Sequence, residues 1–537
     1  MLNAYVSSAR NREWPALLAI VGVFAAGWLL VGPRANVPVV DDWVYAWSVE
    51  HLVDTGRLQI LDFSAVYPIA QILWGALFAR VAGFSFAVLR LSTVVLAALG
   101  CWAVYLALRE MGCRRGTSLL GALALALDPV YFALSFSFMT EVPFVSLSAL
   151  ALYCYVRATR RRARAPLWAG GVCATAAFLV RPIGIVLPLS MLAALIWSGD
   201  RRAAVRRSAT PLVTTLVVIV ALQTIMPLVL GPLEWAATRQ GYLRWWFMVP
   251  ITNYLRWTVE VLFVSVFPFT PLLLPYLARS RSVIAVGIAA LMFAVVSHVA
   301  LGELWMPLPN WQTWSLQDIA ARAMIPGGLA PSNGSLRLVP VVKLLGLLAV
   351  ASLGVITVRG WLRRPGWGKV ELPIITFGVL HVAVIHALWL YNDRYYVVLA
   401  PAVAIIAAQA LDADGRGKWL ATALLAVWAG IAISGTRDML AFNDACARAA
   451  QELEASGIPP WDIDAGYSLN GWRLYAHPEN LPPGADRRYD VPFVTSETSP
   501  RYSIANAPLP QTDVIRVVPL EDASWQASRA VYVVRRQ

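Results

Sequence analysis

Long runs of apolar residues alternate with short polar connectors over most of the chain. Each run is continuous for about 20 residues, and that length and continuity are typical of a membrane-spanning α-helix. The strands of a transmembrane β-barrel would alternate in polarity instead, so the pattern excludes that class. The pattern predicts about thirteen spans of this length. They lie near residues 15–33, 86–108, 117–133, 142–157, 166–180, 183–198, 209–231, 255–277, 282–301, 339–358, 371–390, 395–411 and 418–436.

Basic residues cluster in every second connector. The clusters lie at residues 109–115, 157–164, 201–207, 279–281, 359–369 and 416–418, and Arg10 and Arg12 precede the first span. Since Lys and Arg are retained on the cytoplasmic side, the N-terminus is predicted inside and, after an odd number of spans, the C-terminus outside. The apolar segment 65–83 breaks this parity if it is counted as a span. It is therefore predicted to lie at the membrane surface within a first outer loop, residues 34–85.

The last hundred residues have a different pattern. Residues 437–456 have helical spacing, which ends at Gly457 and the pair Pro459-Pro460. Short apolar runs at 514–519 and 530–534 predict strands. We therefore predict an all-α polytopic transmembrane domain of residues 1–436 and a small extracytoplasmic α+β domain of residues 437–537.

Composition narrows the class of protein. Hydrophobic residues make up 58% of the chain and charged residues only 14%, whereas soluble proteins carry about a quarter charged residues. This excludes a soluble enzyme and a disordered protein. The net charge of +13 is explained by the connectors, so it does not indicate a nucleic-acid partner. The five cysteines form no disulfide framework, and no motif for structural zinc is present.

Acidic residues on the predicted outer side are the first candidates for chemistry. Asp41 and Asp42 follow the first span in the run DDWVYA, and Glu141 opens a later span. A carboxylate at the membrane–water boundary can act as a general base. Two alternatives stay open from the residues alone: the aspartates mark a hydrated loop, and Glu141 only favours the N-terminus of its helix.

Two arginines on the same side are the second group of candidates. Arg181 interrupts an apolar hairpin at its outer turn, and Arg394 opens a late span. A guanidinium group binds phosphate oxygens as a fork. A snorkelling Arg181 and a local Asp393–Arg394 pair are the alternatives. Carboxylates, arginines and apolar walls on one face together favour transfer of a group from a lipid phosphate.

These residues resemble the motifs of the GT-C superfamily of membrane glycosyltransferases, and within it the bacterial relatives of protein O-mannosyltransferase and of lipid A aminoarabinose transferase. The family's first-loop pattern, Asp-acid-x-x-Tyr-Ala, is matched by residues 41–46. Its second acidic locus, before the fourth span, is matched by Glu141. Its basic residue after the fifth span is matched by Arg181. Its late Arg-Tyr with a following Pro is matched by Arg394, Tyr395 and Pro401.

The resemblance implies a GT-C fold and an inverting transfer of a monosaccharide from a polyprenyl-phosphate donor to a hydroxyl acceptor. The reaction would occur on the outer face of the bacterial cytoplasmic membrane, and the acceptor would be a glycan, a lipid or a protein. It also implies roles for individual residues. Asp41 is the expected base with Asp42 beside it and Glu141 orienting it; Arg181, Arg394 and Tyr395 are expected to bind the donor phosphate, and Tyr45 and Tyr67 are further substrate-site candidates.

The sequence departs from the aminoarabinose enzymes at one motif. Those enzymes carry Glu-Lys-Pro-Pro after the first-loop acids, whereas this chain has Ala65-Val66-Tyr67-Pro68. This difference argues against an aminoarabinose donor. The second acidic locus is also Glu rather than the more usual Asp.

No nucleotide-binding loop is present in the sequence, which agrees with a lipid-phosphate leaving group. We expect no cofactor and no required metal, although some GT-C enzymes use Mg²⁺ or Mn²⁺ at their acidic loci. Three other functions are weighed against the transferase. They are a lipid-linked sugar flippase or transporter, an O-antigen-type ligase, and a scaffold with a sensing tail. A transporter should show paired repeats and charges near the middle of the membrane, and the sequence shows neither.

Overall fold

The computed structural model describes residues 13–33, 35–196, 201–233, 248–278, 280–301, 333–363, 370–390, 392–412, 417–485, 500–521 and 530–537. Most of this chain is helical. The helices are α1 (Trp14–Val31), α2 (Asp42–Thr55), α3 (Ile69–Ala82), α4 (Phe86–Glu110), α5 (Arg115–Ala126), α6 (Pro129–Ser135), α7 (Glu141–Arg161), α8 (Ala165–Phe178), α9 (Val186–Ile196), α10 (Arg201–Leu230), α11 (Ile251–Val266), α12 (Thr270–Leu273), α13 (Ser280–Leu301), α14 (Asn333–Arg363), α15 (Leu372–Ala387), α16 (Asp393–Tyr396), α17 (Ala400–Asp412), α18 (Lys418–Ala455) and α19 (Tyr467–Asn470).

Short turns of other helical types join several of these helices. They are 3-10 turns at Pro182–Ile185, Phe267–Phe269, Leu274–Ala278, Val397–Leu399, Pro460–Asp462 and Pro478–Asn480, and a π-helical turn at Gly471–Tyr475.

The apolar runs form the spans of a polytopic membrane protein, as the sequence predicts. Within the described residues, seven helical segments are long and apolar enough to cross a membrane. The pair α5 and α6, bent by 67°, would be an eighth span. Asp128 and Pro129 stand at that bend, and the Asp128 carboxylate accepts hydrogen bonds from the next backbone N–H groups. Other predicted spans appear as shorter apolar helices, so the number thirteen stays a prediction. Arg10 and Arg12 lie outside the described residues.

The predicted surface segment contains α3, which has 14 residues. At about 1.5 Å per residue, such a helix is about 21 Å long, which is shorter than the apolar core of a bilayer, about 30 Å. The helix packs between α2 and α4. The first loop is therefore a packed layer of helices rather than an extended connection.

Helices α4 and α7 lie inside the bundle. The apolar stretch of each is 67% buried, against 28% for α1. The two helices approach closely at Gly100, where a Cβ atom would lie 2.6 Å from the hydroxyl of Ser146. Small residues at such crossings let membrane helices pack without a gap.

Helix α18 links the membrane part to the tail. It has 38 residues, and the predicted domain boundary between residues 436 and 437 lies inside it. Its C-terminal half packs against a small sheet through Phe442, Cys446 and Ala450. The tail is therefore carried by a helix that begins in the membrane part.

The sheet of the tail contains the strands β1 (Ile463–Asp464), β2 (Tyr502–Ala505), β3 (Thr512–Pro519) and β4 (Ala530–Arg536). Their order is β1-β2-β4-β3. β1 and β2 are parallel, whereas β4 pairs antiparallel with both β2 and β3. The predicted α+β tail and its two predicted strands are confirmed.

A short segment of the tail packs on the first loop. Residues 467–477, which we call the clasp, comprise α19, the π-helical turn and the two residues after it. The rings of Tyr467 and Tyr475 lie in one hydrophobic cluster with Trp43 and Phe63 of the first loop. The clasp thus brings the end of the chain against the segment that follows the first span.

Candidate active site

Asp41 is held at the start of α2 by a fixed piece of backbone. The guanidinium group of Arg90, which is fully buried, donates hydrogen bonds of 2.6 and 2.5 Å to the carbonyl oxygens of Ala35 and Val37. Val40 has a φ of 54°, which a β-branched residue rarely adopts. Such strain costs of the order of 1–3 kcal/mol and persists only where the surrounding structure imposes it. The position of Asp41 is therefore imposed by its neighbours.

Asp41 is one of four charged side chains, from four separate elements, that meet at this point. Its Oδ2 lies 2.7 Å from Nη1 of Arg394, in the first turn of α16. Nε of the same arginine lies 3.5 Å from Oε1 of Glu141, the first residue of α7. Oε1 also lies 2.6 Å from Nη2 of Arg181, which precedes the 3-10 turn after α8. The order is acid, base, acid, base, and the four charges sum to zero.

Burial makes these pairs strong. The Glu141 side chain is 0% exposed, that of Arg181 10% and that of Arg394 14%. An ion pair that is removed from water interacts more strongly than one on a surface, but losing one partner is costly because the other charge is left buried. The two arginines therefore form a basic locus that a second anion can enter only by sharing or displacing a carboxylate.

Tyr395 and Thr140 fix the orientation of the two guanidinium groups. The ring of Tyr395 lies 5.1 Å from the guanidinium carbons of both Arg181 and Arg394. Contacts of this kind stabilise a cation against the face of an aromatic ring. Nε of Arg181 also donates a hydrogen bond of 2.8 Å to the Thr140 hydroxyl.

Tyr45 lies next to the same charges. It stands one helical turn after Asp41 in α2. Burial, followed by the charges of Asp41 and Glu141, raises the pKa of the Tyr45 hydroxyl above its ordinary value. This hydroxyl is consequently a neutral hydrogen-bond donor beside the two carboxylates.

Tyr467 of the clasp completes the surroundings of Asp41. Its hydroxyl donates a hydrogen bond of 2.7 Å to Oδ1 of Asp41, across 426 positions of sequence. Ser468 next to it donates a hydrogen bond of 3.0 Å to the carbonyl oxygen of Val40. The tail therefore contacts both the strained backbone and the carboxylate that follows it.

Asp42 is turned away from these pairs. Its carboxylate is fully buried and accepts hydrogen bonds from the backbone N–H groups of Val39, at 2.6 Å, and Phe138, at 3.5 Å. Burial raises the pKa of Asp42 to about 7, although Arg90 and these hydrogen bonds act in the opposite direction. In this arrangement Asp42 joins the first loop to the segment that leads to Glu141.

Tyr67 also lies apart from the four charges. Its hydroxyl donates a hydrogen bond of 2.6 Å to the carbonyl oxygen of Gly231, just after α10. This contact joins the first loop to the end of a membrane helix.

The structure thus brings together most of the residues that the sequence singles out. Asp41, Glu141, Arg181 and Arg394 form one paired cluster, with Tyr395 and Tyr45 against it. Sequence reasoning missed Thr140 and Tyr467. Thr140 directly precedes Glu141 and could have been suspected for that reason, whereas nothing in the tail marks Tyr467.

One segment of the chain matches a known protein family. Residues 68–229, a segment that contains Glu141 and Arg181, match the family of dolichyl-phosphate-mannose-protein mannosyltransferases. Over this segment the chain is similar to a family of glycosyltransferases. The resemblance predicted from the motifs is thereby confirmed. No curated protein matches this chain at a significant level of sequence similarity.

The solved structures that are similar to this chain are distant in sequence. ArnT from Cupriavidus metallidurans bound to undecaprenyl phosphate is 14% identical over 96% of this chain and 97% of that chain, with a TM-score of 0.40. The same protein in the apo state gives 15% identity and a TM-score of 0.36 over the same shares. The oligosaccharyltransferase of Archaeoglobus fulgidus, tethered to an acceptor peptide, is 12% identical over 89% of this chain and 61% of that chain, with a TM-score of 0.42. These values are too low to assign a function.

Proposed function

We propose that this protein is a glycosyltransferase, which moves a monosaccharide from a polyprenyl-phosphate donor to a hydroxyl acceptor at the outer face of the bacterial cytoplasmic membrane. One observation carries the proposal: two carboxylates and two arginines from four elements converge at the ends of apolar helices. A carboxylate can activate a hydroxyl, and arginines can hold a phosphate. The name of the matching family, which contains dolichyl-phosphate-mannose, supports a lipid phosphate as the leaving group.

The donor phosphate would bind between Arg181 and Arg394. Their planar groups already face the ring of Tyr395, so little side-chain freedom remains to be lost on binding. Donors fixed in advance where negative charge develops are the largest source of rate enhancement in many enzymes. The phosphate would take over from Asp41 as a partner of Arg394.

In the proposed step Asp41 takes the proton of the acceptor hydroxyl. The acceptor oxygen forms a bond to the anomeric carbon on the face opposite the phosphate. The bond from that carbon to the phosphate oxygen breaks, and its electron pair stays on the phosphate. The products are the glycosylated acceptor with inverted configuration and the free polyprenyl phosphate. Glu141 would keep the two arginines aligned while this charge develops.

We further propose that the reaction needs no metal ion. The donor set supports this, because Glu141 is shared by two arginines and Asp41 faces Arg394 and Tyr467. Among the residues that the structure describes, no group of three His, Cys, Asp or Glu side chains is arranged to hold a metal. Loss of transfer on chelation, restored by Mn²⁺ or Mg²⁺, would contradict the proposal.

The test compares envelope glycans and polyprenyl-phosphate sugars by mass spectrometry in strains that differ only in this protein. The strains are a deletion, the deletion with the wild-type protein, and the deletion with Asp41→Asn at equal protein level. We expect one glycan to lose a single sugar and its lipid-linked precursor to accumulate in the deletion. Asp41→Asn should not reverse either change, because an amide cannot take a proton at neutral pH.

The matched control is Asp54→Asn, which changes an exposed carboxylate on the same helix. It should restore the glycan as the wild type does. If Asp41→Asn restores it too, Asp41 is not the base, and a transporter or a scaffold becomes the better explanation.

A further inference from the structure

The clasp offers Asp41 a neutral hydrogen-bond donor on its second oxygen. Oδ2 of the carboxylate faces Arg394 at 2.7 Å, whereas Oδ1 accepts from the Tyr467 hydroxyl at 2.7 Å. The two oxygens thus have partners of different kinds. Arg394 is charged and is the residue that a donor phosphate would attract, but Tyr467 carries no charge that a phosphate could compete for.

The Tyr467 hydroxyl remains a donor throughout the ordinary pH range. The side chain is 6% exposed. Burial, followed by the charge of Asp41, raises the pKa of Tyr467 well above its ordinary value. Its ring packs on the rings of Trp43 and Phe63, with centroids 6.0 and 6.3 Å away. The hydroxyl is therefore both fixed and protonated.

The clasp itself is anchored at several points around the first loop. Tyr475 donates a hydrogen bond of 3.1 Å to Asp62, and Nε2 of His477 lies 3.3 Å from Glu50. Arg473 forms an ion pair with Glu454 of α18. These contacts fix the position of Tyr467. A carboxylate that keeps its hydrogen bond to this hydroxyl is therefore held in one orientation.

We propose that Tyr467 is a positioning residue, which holds Asp41 by Oδ1 so that Oδ2 faces the acceptor once Arg394 has turned to the donor phosphate. The proposal rests on the proposed function and assigns the tail a part in it. When Arg394 binds the phosphate, the hydrogen bond from Tyr467 would still fix the direction in which the carboxylate accepts a proton. A reacting group held in one geometry reacts faster than a mobile one.

The chain supplies a closely matched pair of variants. Tyr467→Phe and Tyr475→Phe each remove one hydroxyl from the same aromatic cluster, and each hydroxyl donates to a carboxylate of the first loop. Both rings also contact Trp43 and Phe63. Only one of the two carboxylates is the proposed base. A general loss of packing should affect both variants, whereas a positioning role should affect one.

Each variant is expressed in the deletion strain, and spheroplasts are prepared that keep the native donor and acceptor. The rate of glycan formation is then measured as a function of external pH. We expect Tyr467→Phe to lower the maximal rate about tenfold, as the loss of a hydrogen bond to a charged group of about 1.5 kcal/mol would do. We also expect the acid limb of its pH–rate profile to move to higher pH, because an ionised carboxylate that loses a hydrogen bond takes up a proton more readily. Tyr475→Phe should leave the rate and the limb unchanged.

Each remaining outcome is decisive. Equal losses in the two variants, an unchanged acid limb, or failure of Tyr467→Phe alone to accumulate would overturn the positioning role. Tyr467→Phe added to Asp41→Asn should lower the residual rate no further, since Tyr467 acts through Asp41. If Asp41→Asn is inactive while Tyr467→Phe behaves as wild type, this inference is wrong and the proposed function stands. An active Asp41→Asn contradicts the proposed function itself.

Discussion

Arg394 is the residue through which the two carboxylates of the site are connected. Its Nη1 contacts Asp41 and its Nε faces Glu141, while its plane lies on the ring of Tyr395. A lysine would offer one compact charge in place of this fork and would not stack in the same way. The geometry of the guanidinium group, and not only its charge, is therefore expected to matter.

Arg394→Lys tests this expectation. We expect the transfer rate to fall about 10- to 100-fold, since hydrogen bonds to charged groups contribute about 1.5–3 kcal/mol. The rate is measured as glycan product formed per unit of protein. A transfer rate close to that of the wild type in Arg394→Lys would contradict the role of the fork.

A control for that variant lies in the tail. Arg448→Lys changes an arginine that pairs with Asp444 and Glu521 at the protein surface. Exposed ion pairs of this kind contribute about 0–1 kcal/mol. This variant should retain the wild-type rate.

The roles of Asp41 and Asp42 could not be predicted from the sequence. Asp41 and Asp42 are adjacent and of one type, so the sequence alone does not distinguish their roles. Neighbouring positions at the start of a helix point about 100° apart, and the structure turns Asp41 to Arg394 and Asp42 to two backbone N–H groups. Which of the two faces the arginines depends on the start of α2, and element boundaries are the least certain part of a sequence prediction.

At the scale of elements, the membrane helices were predictable and the clasp was not. A long apolar run in a membrane must satisfy its own backbone hydrogen bonds, and an α-helix does so. The spans can therefore be predicted from runs of apolar residues. The clasp is a four-residue helix followed by a π-helical turn. Segments this short show no repeating pattern of apolar residues in the sequence. Its place is determined by contacts with the first loop, such as Tyr467 with Asp41 across 426 positions.

The packing of the clasp on α2 depends on a glycine. A Cβ atom on Gly471 would lie 2.3 Å from a ring carbon of Trp43, which is itself fully buried. We expect Gly471→Ala to lower the stability by about 1–3 kcal/mol, as overpacking does, and to lower the transfer rate as well. Thermal unfolding in detergent and the glycan assay measure the two effects.

Gly430→Ala is the matched control for that variant. Gly430 lies within α18, and a Cβ atom there would have nothing within 4 Å. Alanine should stabilise the helix by about 0.5–1 kcal/mol. A loss of stability equal to that of Gly471→Ala would show that the contact with Trp43 is not the cause.

The clasp also carries a contact that depends on pH. The hydrogen bond to Glu50 is the main reason why the pKa of His477 is raised. Because the folded-state pKa is raised, the stabilisation is fully present below the ordinary histidine pKa of about 6.5 and is lost as the pH rises through the raised value. The wild type should therefore lose more stability between pH 6 and pH 8 than His477→Gln does.

Thermal unfolding at the two pH values measures this difference. His51→Gln serves as the control, since His51 is a histidine of the same helix as Glu50 that stacks on Trp47 at 5.1 Å. It should lose stability with pH as the wild type does. Equal pH dependence of the wild type and His477→Gln would contradict the contribution of the Glu50 contact.

At the scale of the whole molecule, the proposed orientation can be tested by labelling. The arginines in the last turn of α7 are expected inside, and the end of α18 is expected outside. Arg160→Cys and Ser456→Cys each place a thiol at an exposed position. In intact cells, a membrane-impermeant maleimide should label Ser456→Cys alone.

Permeabilised cells provide the control, because both variants should be labelled there above the background of the native cysteines. Labelling of Arg160→Cys in intact cells would show that the orientation is the opposite of the proposed one. The site would then lie on the cytoplasmic side, and a donor in the outer leaflet would be excluded.

The contact between Tyr467 and Asp41 has a consequence for the making of the protein. Ribosomes add about 5–20 residues per second, so the 426 residues between the two take about 20–85 s to synthesise at that rate. During that interval the early helices can already be in the bilayer among lipid substrates, while the proposed base has no partner from the tail. A newly inserted chain would acquire an oriented base only near the end of its translation, and chains released early would carry a site without its last contact.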